Sequence, residues 1–226
     1  DPSGAQVSIQ DYLTLNGPVL HLGATPLKIR IPKGYFRWTI ARAGAGQMVV
    51  APETATSMNF PLAPSLSAPT GMVYVSGGPW TLYNAFIGWI GPYTFPPYYI
   101  DRQEVTNREF QDFVDHGGYE KPEYWPAEFQ KEGQTLSWNQ AMQLFRDTTG
   151  RAGPSAWAAG HYPEGTANDP VSGVSWFEAA AYAKFAGKAL PVLGQWYQSA
   201  DFDVSEYTAQ MSNLRGRGPA AVGTFP

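Results

Sequence analysis

The chain of 226 residues contains no cysteine. That absence excludes disulfides, thiolate metal sites and a cysteine nucleophile within these residues, and it leaves the redox compartment open. Charge is scarce too: Asp, Glu, Lys and Arg make up 15% of the residues and sum to −4. No broad basic face can therefore neutralise phosphates, which excludes nucleic acid as a partner. The three histidines, His21, His116 and His161, stand far apart with no second His or Cys at ligand spacing. No apolar run reaches the roughly 18–20 residues needed to span a bilayer, and the N-terminus lacks the basic-then-apolar layout of a signal peptide. The chain opens on Asp1 and closes on Val222-Gly223-Thr224-Phe225-Pro226 without a helix stop or polar tail. Both ends read as cuts in a longer polypeptide.

What is abundant is Gly (24), Pro (20) and aromatic residues: 8 Trp, 13 Tyr and 12 Phe. This is the composition of a loop-rich globular protein, neither disordered nor coiled coil. Residues 55–70 hold three prolines and no charge, which predicts an extended linker or strap between residues 1–54 and 71–226. The first part carries a net +2 and the last −6.

Within residues 1–54 apolar residues alternate: Val7 and Ile9, Val19 and His21, Leu27 with Ile29 and Ile31, then Phe36, Trp38 and Ile40. Alternation predicts strands with one buried face, separated by turns at Asn16-Gly17, Gly23, Pro32-Lys33-Gly34 and Gly44, hence a small antiparallel β module. After residue 70, Met72–Val75 and Tyr98–Ile100 read as short strands, with Gly77-Gly78-Pro79 breaking the first. Three S/T-x-x-E/Q pairs, Thr106 with Glu109, Ser137 with Gln140 and Ser175 with Glu178, predict helix starts. A fourth helix is expected over Gln195–Ala200. The long irregular run 149–174, anchored by Trp157, completes an α+β pattern poor in regular structure. Trp138, Trp157, Trp176 and Trp196 are expected in the core.

Familiar catalytic patterns are missing. There is no GxxxxGK[ST] loop and no GxSxG elbow. Asp101, Glu104 and Glu178 lie near aromatics and could pair as glycosidase acids. Their positions at helix entrances explain them more simply, as caps and local ion pairs.

Two resemblances arise from longer words. Pro2-Ser3-Gly4-Ala5, Leu22-Gly23-Ala24-Thr25-Pro26-Leu27 and Ile31-Pro32-Lys33-Gly34-Tyr35 follow the order of a PEGA domain, with Ser3 in place of its Glu. That resemblance implies a small envelope-associated β module that binds or presents other domains. Gly71-Met72-Val73-Tyr74-Val75-Ser76-Gly77-Gly78, Tyr99-Ile100-Asp101-Arg102-Gln103-Glu104-Val105-Thr106-Asn107, Pro170-Val171-Ser172-Gly173-Val174-Ser175-Trp176-Phe177-Glu178-Ala179 and Ala186-Gly187-Lys188-Ala189-Leu190-Pro191 resemble, in order, words of the formylglycine-generating-enzyme (sulfatase-modifying factor) family. The resemblance implies a C-type-lectin-like α+β fold over residues 71–226, incomplete at its C-terminus. It also implies an oxidase that uses a Cys pair and copper, located after a G-N-V-W-E-W word that this chain does not reach. Without those thiols, residues 1–226 cannot run that chemistry unaided, and the scattered histidines argue against an iron enzyme of the ergothioneine-synthase type.

The intervening tract, with Tyr124-Trp125-Pro126, Leu136-Ser137-Trp138 and Gly160-His161-Tyr162-Pro163-Glu164-Gly165, is similar to a subgroup fused behind bacterial serine/threonine protein kinases. No kinase motif occurs in these residues. The expectation is a non-catalytic sensory, binding or scaffold region of such a kinase. It would lie outside the cytoplasmic membrane, periplasmic or at the cell surface in a membrane-anchored protein, and bind a protein, peptide or glycan. The alternative is part of a formylglycine-generating oxidase. Ser212-Asn213-Leu214 resembles the family's calcium word, which implies Ca²⁺ ligation by the Asn213 side chain and the Leu214 backbone, although Arg215–Ala221 offers no carboxylate.

Overall fold

The computed structural model describes residues 4–12, 14, 17–42, 45–50, 62, 69–200, 209, 212–216 and 218–225. Most of the strap 55–70, Pro2, Ser3, the turn residues Asn16 and Gly44, and Arg217 lie outside the described residues. The architecture is mixed α/β, with small antiparallel sheets and few helices. The chain divides into two compact units: Asp1–Arg102 with Pro191–Arg215 and Phe225–Pro226, and Gln103–Leu190 with Gly216–Thr224.

In the first unit, β1 (Gln6–Asp11), β2 (Val19–Ala24), β3 (Phe36–Arg42) and β4 (Ala45–Val50) form an antiparallel sheet in the order β2-β1-β3-β4. The register sets Val7 opposite Ile40 and Ile9 opposite Trp38, so the period-two pattern puts these four side chains on one face. They form a buried cluster with Ala5, against which Leu22, Leu27, Ile31, Phe36 and Leu62 pack.

The expected strand through Leu27, Ile29 and Ile31 does not form; residues 27–32 carry no strand pairing. Pro26 and Pro32 bracket that run and lack ladder donors. Leu27 and Ile31 still reach the core from extended coil, while Ile29 is exposed.

Further along the same unit, β5 (Met72–Val75) pairs with β8 (Tyr98–Asp101), as the two short apolar runs suggested. Between them lies a hairpin that the sequence reading missed, β6 (Gly78–Asn84) with β7 (Gly88–Phe95). Gly78 and Pro79, expected to break structure, open β6. In a two-stranded ribbon each strand has an unpaired side, where proline is tolerated. At the tip, Asn84 Oδ1 accepts from the Phe86 and Ile87 amides at 2.9 and 3.2 Å, and Gly88 takes a left-handed φ of 79°.

The second unit is built on α1 (Asn107–Asp115), α2 (Trp138–Met142) and α3 (Trp176–Phe185), all three opened by the expected capping boxes. In each, the Ser or Thr hydroxyl accepts from the amide three residues on, and the Glu or Gln returns to the cap amide. A second unforeseen hairpin, β9 (Phe129–Lys131) with β10 (Gln134–Leu136), turns through Glu132-Gly133, both at positive φ. The core joins Phe110 and Phe113 from α1, Tyr119, Trp125, Phe129, Ala141, Met142, Phe145, Trp157 and Ala181. Gly118 is a contact requirement rather than a turn device: a Cβ there would overlap the Phe113 ring.

Of the four tryptophans expected inside, Trp157 is buried and Trp138 packs on the core, but Trp176 is 66% and Trp196 47% exposed. On α3 the buried residues are Glu178, Ala181 and Ala183, and Trp176 is the first residue of the helix, ahead of all three. On α4 (Leu193–Ala200) the buried residue is Gly194, and Trp196, two positions on, lies about 200° around the helix from it.

Phe113 has no exposed surface and contacts Phe110, Tyr119, Tyr124, Tyr182 and Phe185. Phe113→Ala is expected to lower unfolding stability by about 3–5 kcal/mol. Ser175→Ala, which removes only a cap, should cost about 1 kcal/mol. Urea unfolding of the two variants separates core burial from capping.

Candidate functional site: an aromatic groove beside a closed polar interior

Two buried carboxylates of the second unit, Glu178 and Asp147, are engaged in hydrogen bonds. Glu178 is 3% exposed. Its Oε2 accepts from the Ser175 amide at 2.7 Å and its Oε1 from the Tyr119 hydroxyl at 2.6 Å. Burial, then the charge and hydrogen bond of Glu178, push the Tyr119 pKa above its usual value. The capping role read for Glu178 holds, and the partner Tyr119 adds a contact that no local pattern announces.

Asp147 is the second occupied acid. Its Oδ1 accepts from the Thr149 amide and hydroxyl at 2.7 and 2.8 Å and from the Arg151 amide at 3.0 Å, while its Oδ2 accepts from the Gly160 amide at 2.6 Å. Burial raises the pKa of such a group. The donors from Gly160, Thr149 and Arg151 outweigh it and hold the carboxyl at about 2. Asp101 and Glu104, the other acids considered, lie in β8 and just beyond it, half-buried and exposed respectively.

The histidines are likewise used locally: His21 Nδ1 lies 2.9 Å from Ser8 Oγ, His116 Nδ1 2.7 Å from the Asp112 carbonyl, and His161 Nδ1 3.2 Å from Gln111 Oε1. Among the described residues no group of three or more His, Cys, Asp or Glu is placed to hold a metal ion. Asn213 and Leu214 lie in a single helical turn, Asn213–Arg215, and both are exposed. They offer two of the six to eight oxygen donors that a calcium ion takes.

What remains open is an apolar groove in the first unit. It has a volume of about 250 Å³ and is lined by Trp80, Ile90, Tyr93 and Phe95 of the β6–β7 hairpin and by Val192, Leu193 and Gly194 at the start of α4. Register builds its wall: Trp80 faces Tyr93 across the ribbon, with ring centroids 6.3 Å apart and planes at 16°. Gly194 lets α4 approach, because a Cβ there would overlap the Phe95 and Trp80 rings. Tyr98 fastens the helix by donating to the Gln195 carbonyl at 2.6 Å, and Tyr197 rests on Trp80. On the opposite face of the ribbon, Tyr83 and Trp89 form an exposed cross-strand pair, and Phe86 and Ile87 stand out at the tip. The clue available in the sequence was the alternation of Trp80, Leu82 and Asn84 with Thr81 and Tyr83, which Gly78 and Pro79 obscured.

The Asp147 geometry predicts an acid response. A carboxyl held below its ordinary value of 3.8 contributes stability that is complete above about pH 4 and fades as pH falls toward 2. Thermal melts from pH 7 to 2 should therefore show Asp147→Asn less stable than the parent at neutral pH, with the gap closing below pH 4.

No helix among the described residues is long and apolar enough to cross a membrane. Residues 59–222 match the family described as the sulfatase-modifying factor enzyme 1-like domain. Hercynine oxygenase of Mycobacterium tuberculosis is 34% identical over 145 residues, covering 58% of this chain and 33% of that protein. Formylglycine-generating enzyme of Thermomonospora curvata is 30% identical over 188 residues, covering 69% and 58%. A serine/threonine-protein kinase of Chlamydia trachomatis is 25% identical over 107 residues, covering 47% and 15%. The chain spans about a third of the length of the hercynine oxygenases it matches. On the strength of the match through residues 59–222, the chain belongs to the sulfatase-modifying factor enzyme 1-like family.

Proposed function

We propose that these residues form a non-catalytic binding or scaffold region of a larger bacterial protein, coupled to a serine/threonine protein kinase, and that the groove of β6, β7 and α4 receives a peptide segment of a partner protein. The observation that carries this reading is the division of labour among side chains. Glu178 and Asp147 are consumed by structural hydrogen bonds, the chain has no thiol, and the aromatic groove is left open. Its lining side chains are apolar apart from the Tyr93 hydroxyl and the Trp80 indole N–H, a balance that suits aliphatic and aromatic side chains.

The similarity to the chlamydial kinase supports the kinase link. The four-stranded N-terminal sheet, with Leu22-Gly23-Ala24-Thr25-Pro26 at the end of β2, supports a PEGA-like presenting module. In this reading both parts lie outside the cytoplasmic membrane, with the kinase on the other side.

A second reading, part of an oxidase of the hercynine-oxygenase or formylglycine-generating type, is favoured by the higher identities to those enzymes, 34% and 30%. It requires the reacting groups to come from elsewhere in the polypeptide, because the family's thiols have no counterpart here.

Selection of a random heptapeptide library on the full chain tests the first reading. Apolar, aromatic-containing peptides should be enriched, and Tyr93→Ala or Leu193→Ser should weaken them by about tenfold. Binders indifferent to both substitutions would refute the groove. Oxygen-dependent oxidation of a Cys-containing peptide by the chain alone would refute the non-catalytic assignment.

A further inference from the structure

The tip of the β6–β7 hairpin is an apolar surface that lies outside the groove. Phe86 is 96%, Trp89 73%, Ile87 71% and Tyr83 61% exposed. Single exposed apolar residues are ordinary, but these four large side chains cluster within residues 83–89. Charge is excluded from the same region: residues 54–100 contain no Asp, Glu, Lys, Arg or His, so all 15 basic and 19 acidic side chains of the chain lie elsewhere.

The exposed side chains are ordered by polarity along the hairpin. Phe86 and Ile87, which carry no polar atom, occupy the turn beyond the last pair of the ladder, Asn84 with Gly88. Tyr83 and Trp89, each an apolar body with one polar group, form the next cross-strand pair back, with ring centroids 5.3 Å apart. At a strand rise of about 3.3 Å per residue, the turn stands roughly 7 Å beyond that pair. An interfacial segment enters the boundary between headgroups and acyl chains by about 5–10 Å, and Trp and Tyr collect at the level of the headgroups. The backbone of the turn also suits an apolar medium. Asn84 Oδ1 already accepts from the Phe86 and Ile87 amides, so neither N–H enters it unpaired.

Charged groups give a protein–protein contact its register and its selectivity against wrong partners. The hairpin offers none, whereas a bilayer penalises each one. We infer that the tip of β6 and β7 inserts into the interface of a lipid bilayer, with Phe86 and Ile87 reaching the acyl chains and Tyr83 and Trp89 lying among the headgroups. Entry is driven by apolar burial and selects no headgroup charge. The tip lies in the interface without crossing the membrane, and its insertion does not depend on the peptide groove.

Co-sedimentation of the full chain with phosphatidylcholine vesicles tests the assignment. The chain should partition onto them, no more tightly onto an equimolar mixture with phosphatidylglycerol, and without loss at raised salt. Phe86→Ser combined with Ile87→Ser, both at exposed positions, should lower the partition coefficient by at least about tenfold. Leu193→Ser, in the groove, should leave it unchanged. Failure to bind phosphatidylcholine, binding confined to the anionic mixture, undiminished binding by the double variant, or an equal loss in Leu193→Ser would each overturn the inference. Self-association of the parent that the double variant abolishes, without vesicle binding, assigns the tip to a second copy of the chain and overturns it too. If the double variant does not fold, quenching of tryptophan fluorescence by brominated acyl chains that is undiminished in Trp89→Phe overturns it equally.

Discussion

The buried amide of Asn107 is the contact on which the second unit depends. Its Oδ1 accepts from the Trp157 indole at 3.1 Å and its Nδ2 donates to the Thr166 carbonyl at 2.9 Å. Asn107 is 5% exposed, so neither group can turn to water instead. Thr106 caps α1 and fixes where that amide points, and the backbone on either side pairs with residues 167–171: Asn107 N with the Asp169 carbonyl, Arg108 N with the Ala167 carbonyl and Val171 N with the Val105 carbonyl. One polar side chain thus joins a helix entrance to two stretches of irregular chain. Trp157, once held, packs on Phe110 and Tyr162 and carries the loop into the core.

Ordered loop of this kind has to satisfy its backbone without a sheet ladder, and Asp147 supplies the other half of that requirement. Its oxygens take the amides of Thr149, Arg151 and Gly160, while the Thr149 hydroxyl donates to Asp147 Oδ1 and its Oγ1 accepts from the Ala159 amide at 2.9 Å. The loop is therefore organised around a carboxylate as a helix is organised around its axis. This is why a segment with so many Gly and Pro residues can anchor a core tryptophan.

What the sequence made legible follows the range of the forces involved. The three capping boxes could be read because hydroxyl, acid and helix start lie within four residues of one another. The β1 and β3 pattern could be read because its period of two belongs to the strand itself. Trp157 was readable as an anchor because an irregular run needs one. The hairpin of β6 and β7 was hidden by Pro79 and Pro92, which disqualify a central strand but not a two-stranded ribbon. The hairpin of β9 and β10 was hidden by its turn, where Glu132 rather than Asn or Asp takes the left-handed position. Trp176 and Trp196 were misplaced because hydrophobicity was weighed without the place of each on its helix, the first residue of α3 and the side of α4 away from Gly194. The groove needed the approach of α4 to the hairpin, a relation between Trp80 and Gly194 that no local pattern contains.

The same distinction bears on what family membership carries. The family words in this chain have structural occupations: Thr106 caps, Asn107 binds Trp157, Ser175 caps, and Glu178 returns to the Ser175 amide while accepting from Tyr119. Each is needed to close a loop-rich core, whatever the domain does. Such words report the fold, and activity must be sought in groups that the fold does not consume. Among the described residues the aromatic side chains of β6 and β7 are such groups, with Tyr83, Trp89 and Tyr93 open to solvent. An aromatic face of this kind holds a ligand by burial and stacking, and that is the physical support for the binding role proposed for the groove.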